Sequence, residues 1–118
     1  MGHVTTEVTL TNPSDSSRSK SVDALVDTGA TFTVVPRRLA LDLALPVTGR
    51  RRVRTPTGEV ALDMASAFVQ INGQSAVNPV LVSDTLDRVL IGVITLETLS
   101  LTVDPTTGEL HESEALLF

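Results

Sequence analysis

The sequence predicts an all-β fold with one or two short helices. Val, Leu, Ile and Thr supply the core-forming positions, whereas aromatic residues make up only 3% of the chain, and β-branched residues favour strands. Short runs of residues alternate between apolar and polar, and turn signals containing Pro, Asn or Gly separate these runs. With 118 residues, the chain corresponds to one domain, residues 1–118, built around a single hydrophobic core.

The N-terminal part predicts a β-hairpin. Val4 to Leu10 alternates as a half-buried strand does, and Thr6 is the polar member of its apolar face. The polar segment 11–21 is rich in Ser and begins with Asn-Pro, which predicts a mobile loop without a function. A second short strand follows at Val22 to Val26.

The middle of the chain predicts a strand, a helix and two further hairpins. Phe32 to Val35 has strand composition, and Pro36 can open a helix that Pro46 ends. A turn is expected at 47–49. One hairpin is predicted with strands at Arg50 to Arg54 and Glu59 to Phe68 and a turn at Thr55-Pro56-Thr57-Gly58. Another is predicted with strands at Phe68 to Ile71 and Ser75 to Val82 and a turn at Asn72-Gly73.

The last third predicts a buried strand, a glycine and a short helix in the sequence VLIGVITLETL, residues 89–99. A strand is expected at Ser100 to Val103, a turn at 104–108 and a final strand at Glu109 to His111. The apolar segment 115–118 could join a dimer interface or pack on its own core, and the sequence does not separate these alternatives.

The composition argues against several classes of function. There is no Cys, which excludes disulfides, thiolate nucleophiles and cysteine metal sites. A net charge of −5 argues against nucleic acid as a partner. No run approaches the 18 apolar residues of a membrane span, and the N-terminus lacks the pattern of a secretion signal. We therefore expect a cytoplasmic protein that binds neither nucleic acid nor a membrane.

One short motif carries the chemistry. The run ALVDTGATFTVVP, residues 24–36, places Asp27-Thr28-Gly29 between two apolar segments. These are ordinary turn residues, but buried flanks require that the carboxylate be satisfied by hydrogen bonds or a partner. His3 and His111 lie in no motif and are interpreted as exposed filler. No zinc spacing and no phosphate-binding glycine loop is present. A carboxylate paired with a second, protonated one can act as a general base.

The run Ala24 to Ala30, ALVDTGA, resembles the active-site loop of the retropepsin-like aspartic proteases, which include the retroviral enzymes. A second motif of that family, two apolar residues and a glycine before a short helix, is similar to Leu90-Ile91-Gly92. The resemblance covers residues 4–103 and looks closest to bacterial members of the group, which share the Pro-Arg-Arg-Leu helix and a Val-Asp-Pro-x-x-Gly turn.

The resemblance implies a half-barrel fold and an aspartic endopeptidase that acts on polypeptide substrates without a metal or other cofactor. Asp27 would be catalytic. Its active-site loop would comprise Thr28, Gly29 and Ala30, and the second motif would comprise Leu90, Ile91 and Gly92. The hairpin tip formed by Thr55, Pro56, Thr57 and Gly58 falls where the family carries a mobile flap, and it would contact substrate.

A single Asp-Thr-Gly motif supplies only one carboxylate of the predicted pair. Only one Asp-Thr-Gly occurs, so the second carboxylate of a pair must come from another copy of the chain. Residues near the axis of a twofold dimer meet their own copies. The sequence therefore predicts a homodimer with Asp27 of each chain at the axis.

Two alternatives remain beside this interpretation. The chain could be a non-catalytic peptide-binding or dimerisation module that keeps the protease fold, or a monomeric structural domain. The cluster Arg50 to Arg54 could dock an acidic substrate or nucleic acid, but we favour a solvated strand that resists aggregation.

Overall fold

The computed structural model describes residues 4–114, and these form nine strands and two helices of six residues each. The strands are β1 (Val4–Asn12), β2 (Asp15–Val26), β3 (Thr33–Pro36), β4 (Val47–Thr55), β5 (Gly58–Ile71), β6 (Gln74–Ser83), β7 (Val89–Ile91), β8 (Leu101–Val103) and β9 (Leu110–Glu112). The helices are α1 (Arg37–Asp42) and α2 (Val93–Thr98). The prediction of an all-β fold with one or two short helices is confirmed. His3 and segment 115–118 lie outside the described residues.

Six of the described strands close into a barrel. Their order is β1-β2-β7-β3-β6-β5, and β5 pairs back with β1 through residues 68–70 and 9–11. β4 adds to β5 beside this ring, and β8 pairs with β9 in a separate two-stranded sheet. The barrel is filled by fully buried aliphatic side chains, among them Leu10, Val69, Val80 and Ile91. Each such side chain stabilises the fold by about 1.5–3 kcal/mol relative to an exposed position.

The prediction of a loop at 11–21 is wrong. β1 and β2 continue as a long hairpin with a two-residue turn, so most of this polar segment is strand. Hydroxyl groups pair across the two strands, with 2.7 Å between Thr9 and Ser21 and 2.8 Å between Thr11 and Ser19. This hairpin is largely exposed, so it needs few apolar residues. Cross-strand pairing therefore outweighs the low strand propensity of Ser.

The predicted turn at 47–49 is also wrong, because these residues belong to β4, which begins at Val47 and has a register shift between Val47 and Gly49. By contrast, the Asn72-Gly73 hairpin is confirmed. Both residues have positive φ, 51° and 81°, as a type I′ turn requires. Neither helix of the described residues is long and apolar enough to cross a membrane.

Asn12 connects the first hairpin to the chain that leaves α1. Its buried side-chain Nδ2 donates to the carbonyl oxygens of Leu43 at 3.0 Å and Ala44 at 2.8 Å. Its Oδ1 accepts the N–H of Ser14 at 2.8 Å. Carbonyls at the end of a helix have no partner within the helix, so Asn12 satisfies them.

We expect Asn12→Ala to lower the free energy of unfolding by about 1–3 kcal/mol, because it removes the partner of buried polar groups. Urea denaturation followed by circular dichroism measures the difference. Ser16→Ala, at an exposed position of the same hairpin, serves as the control and should change stability by less than about 0.5 kcal/mol. Equal stability of Asn12→Ala and wild type would show that the hydrogen bonds of Asn12 to Leu43 and Ala44 do not stabilise the fold.

Candidate active site

The two sequence motifs meet because of the strand order. β7 lies between β2 and β3, and the chain segment that joins β2 to β3 is the Asp27 loop (residues 27–32). β7 runs parallel to β2, with Val26 opposite Ile91, and antiparallel to β3, with Val34 opposite Leu90. The strand of the second motif is therefore inserted between the two strands that carry the first.

Backbone hydrogen bonds fasten the Asp27 loop to this inserted strand. The N–H of Asp27 donates to the carbonyl of Ile91 at 2.9 Å, and the N–H of Val93 donates to the carbonyl of Ala30 at 2.8 Å. Both ends of the loop are thus bound to residues distant in sequence. This arrangement restricts the positions that the Asp27 carboxylate can take.

Gly92 packs directly beneath the loop. A Cβ atom at this position would lie 2.5 Å from the carbonyl carbon and oxygen of Phe32 and 3.0 Å from the carbonyl oxygen of Ala30. The N–H of Gly92 donates to Oγ1 of Thr33 at 3.1 Å, and that oxygen lies 2.6 Å from Oγ1 of Thr95. Thr33 and Thr95 are completely buried. Sequence reasoning missed these threonines, since no motif distinguishes them from other strand and helix threonines.

The apex of the loop is open, in contrast to its base. The Asp27 side chain is half-buried, and its Oδ1 accepts the N–H of Gly29 at 2.9 Å. Thr28 and Gly29 are exposed. A Cβ atom on Gly29 would come within 3.3 Å of the same carboxylate oxygen. The arrangement presents a positioned carboxylate, with capacity for further hydrogen bonds, at the surface of one chain.

The ribbon (residues 47–65), formed by β4 and the first part of β5, has two different faces. The register places Arg51 opposite Leu62 and Val53 opposite Val60 on one face. The guanidinium carbon of Arg51 lies 5.3 Å from the centroid of the Phe32 ring. Because Phe32 belongs to the Asp27 loop, this inner face of the ribbon is turned towards that loop.

The other face of the ribbon is charged and exposed. Arg50 lies 3.8 Å from Asp63, and Arg52 and Arg54 lie 3.8 and 3.9 Å from Glu59. The side chains of Arg52 and Arg54 are 82% and 85% exposed, so these pairs are worth little in stability. Their exposure agrees with the interpretation of this arginine cluster as solvated.

The tip of the ribbon is held by its own side chains. Oγ1 of Thr55 donates to the carbonyl of Gly58 at 2.8 Å and lies 3.2 Å from Oγ1 of Thr57. Gly58 has φ of 133°, a value that favours glycine. Pro56 is exposed. Among residues 4–114, the tip makes no hydrogen bond to the Asp27 loop, so the structure unites the two sequence motifs but leaves the tip apart from them.

Arg37 fixes the base of the ribbon. Its Nη1 donates to Asp63 on β5 at 2.9 Å, and its Nε donates to Asp84 after β6 at 2.8 Å. The hydrogen bonds from Arg37 lower the pKa of Asp84, and those with Asp84 and Asp63 raise the pKa of Arg37. The contribution of Asp84 to stability is therefore present above the ordinary carboxyl pKa and is lost as the pH falls through the lowered value.

Two other carboxyl groups have a lowered pKa for local reasons. The Ser17 hydroxyl and N–H lower the pKa of Asp15, and the Thr106 N–H is the main cause at Asp104. Neither group belongs to the Asp27 loop. Within the described part of the chain, no three His, Asp or Glu side chains are arranged to hold a metal ion.

A family model described as aspartyl protease matches residues 14–95 of the chain. The matched segment includes the Asp27 loop and Leu90-Ile91-Gly92, the two motifs that the fold brings together. No curated protein matches the chain.

We expect Gly92→Ala to lower the free energy of unfolding by at least about 1–3 kcal/mol, because the new methyl group overlaps the Phe32 carbonyl. Chemical denaturation gives this value. Gly49→Ala is the matched control, since a Cβ there meets nothing within 4 Å. A Gly92→Ala protein as stable as the control would show that the loop is less closely packed on β7 than described.

Proposed function

Because the chain belongs to the aspartyl protease family, we propose that it is an aspartic endopeptidase. It hydrolyses peptide bonds of polypeptide substrates with a water molecule held between two Asp27 carboxylates, one from each subunit of a homodimer. The observation that carries this proposal is the Asp27 loop, which is fastened at its base to Ile91 and Val93 and exposed at Thr28 and Gly29.

The exposed apex supports the assignment to a dimer. One chain offers one Asp-Thr-Gly, and other carboxylates near the ribbon, Asp63 and Asp84, are engaged by Arg37. In a twofold dimer, Thr28 would brace the loop of the partner, and Gly29 and Ala30 would line the floor between the subunits. The closed contact needs small residues there, since residues near the axis approach their own copies.

The proposed mechanism uses direct attack by water. Two carboxyl groups at about 3 Å repel each other when both are charged, so the two Asp27 side chains share one proton in this mechanism. The ionised Asp27 accepts a proton from the water as the water oxygen attacks the peptide carbonyl carbon. The protonated partner's Asp27 donates a hydrogen bond to the carbonyl oxygen. The Asp27 that took the proton from water then donates it to the leaving nitrogen, the C–N bond of the tetrahedral intermediate breaks, and no covalent bond to the enzyme forms.

The ribbon acts as the flap in this proposal. Its tip, Thr55 to Gly58, covers the substrate, and its base is held by Arg37 through Asp63. A hairpin that is anchored at one end and free at the other can close over a bound peptide and exclude water. The inner face of the ribbon then contacts the side chains of the peptide.

We expect Asp27→Asn to reduce cleavage of a diverse peptide library by at least about 1,000-fold, because the shared proton and the general base are both lost. Cleavage is measured by mass spectrometry from roughly pH 3 to 8. Asp23→Asn, at an exposed position on β2, is the control and should retain activity. A wild-type dimer that binds peptides without cutting them would instead indicate a peptide-binding module.

We expect mixed dimers to reveal the shared site. When wild type and Asp27→Asn are refolded together in equal amounts, only wild-type homodimers carry two carboxylates, so the activity should be about a quarter of that of wild type at the same total protein concentration. Sites formed within single chains would leave about half. Sedimentation of the same samples reports the oligomeric state, and a protein that stays monomeric at high concentration would refute the dimer.

A further inference from the structure

Arg51 differs from the other arginines of the ribbon in its surroundings. Arg50, Arg52 and Arg54 lie on the outer face within 4 Å of Asp63 or Glu59. Arg51 lies on the inner face and, among residues 4–114, makes no ion pair. Arg51 is exposed in the single chain, but its guanidinium lies on the side of the Asp27 loop, where the proposed substrate would bind.

The Arg51 guanidinium lies over the Phe32 ring at 5.3 Å, and its Nη2 lies 3.9 Å from Sδ of Met64. A cation–π contact with an aromatic ring does not use the guanidinium N–H groups as hydrogen-bond donors to a carboxylate, so they stay available for one. Sulfur is a weak acceptor, so a stronger acceptor would displace this contact at little cost.

We propose that Arg51 binds a carboxylate of the substrate and gives the enzyme a preference for peptides that carry a carboxylate close to the scissile bond. This inference rests on the proposed endopeptidase function and adds a substrate class to it. The planar fork of Arg matches a carboxylate with two parallel N–H···O bonds. The carboxylate would be an acidic side chain of the peptide or the carboxyl group at its end, and the experiment separates these sources.

The rest of the inner face fits a peptide with an acidic residue among apolar ones. Val53 and Leu62 are half-buried, and Val60 is 38% exposed. They form an apolar surface around the single inward cation, and Phe32 continues this surface into the Asp27 loop. The lower water content of a covered apolar site strengthens a charge-assisted hydrogen bond. A carboxylate bound to Arg51 would therefore contribute more to substrate preference than one bound on the outer face.

The test compares paired peptides, with Glu or Gln at each position around the cut, for wild type, Arg51→Gln and Arg52→Gln. Wild type should cleave the preferred Glu peptide about 10- to 100-fold more efficiently in kcat/KM than its Gln partner. Arg51→Gln should lose this ratio, mainly through KM, and Arg51→Glu should shift the preference towards Lys or Arg. Arg52→Gln, on the outer face, should keep the ratio.

Peptides with free and amidated C-termini identify the source of the carboxylate. If the Glu preference survives amidation, Arg51 binds the acidic side chain. If cleavage depends on a free C-terminus and not on Glu, Arg51 binds the carboxylate at the end of the peptide. Two results overturn the inference while leaving the endopeptidase intact: wild type that cuts without a carboxylate preference, and Arg51→Gln that slows all peptides equally, as a purely structural contact with Phe32 would. If wild type cuts no peptide in the library, the proposed function itself has failed.

Discussion

The packing of Gly92 against the Asp27 loop is the constraint on which the candidate site depends. A glycine there allows the backbone of β7 and α2 to approach the carbonyls of Ala30 and Phe32. The same close approach brings Thr33 and Thr95 together in a completely buried position, where Oγ1 of Thr33 accepts the Gly92 N–H. Any larger residue would separate the two halves of the site, because backbone atoms cannot move aside as a flexible side chain can.

This constraint gives the site its division into rigid and exposed parts. The loop base is fixed by backbone hydrogen bonds to Ile91 and Val93, whereas its apex is left without cover in a single chain. A catalytic carboxylate must be held in position by its surroundings, but a site shared between two chains must also leave its contact surface accessible. The Asp27 loop meets both requirements of the dimeric protease that we propose.

The ribbon contacts the rest of the chain at two points with different chemistry. At its base, Arg37 joins β5 to the segment after β6 through carboxylates, in a well-formed network of charge-assisted hydrogen bonds. Nearer the Asp27 loop, Arg51 rests on Phe32 without a carboxylate partner among the described residues. The first contact fastens the ribbon, and the second is the one that a substrate can exchange for a stronger interaction.

Local sequence patterns were sufficient to predict the fold class, the two chemical motifs and several turns. The Asn72-Gly73 turn could be predicted because only residues that tolerate positive φ suit that hairpin. Asp27-Thr28-Gly29 could be predicted as a site because polar turn residues lie between apolar segments. The strand character of segment 11–21 was not readable. Its Ser residues favour turns locally, and strand pairing with hydroxyl contacts such as Thr11 to Ser19 overrides that preference.

The residues that surround Asp27 depend on long-range packing. The insertion of β7 between β2 and β3 joins segments far apart in the chain, and local patterns do not encode such pairing. Thr33 and Thr95 look like ordinary threonines until the fold buries them together. Strand alternation separated Arg51 from its arginine neighbours, but the side of the ribbon that faces the Asp27 loop depends on where the barrel places Phe32. Short-range preferences set the elements, and long-range packing set the site.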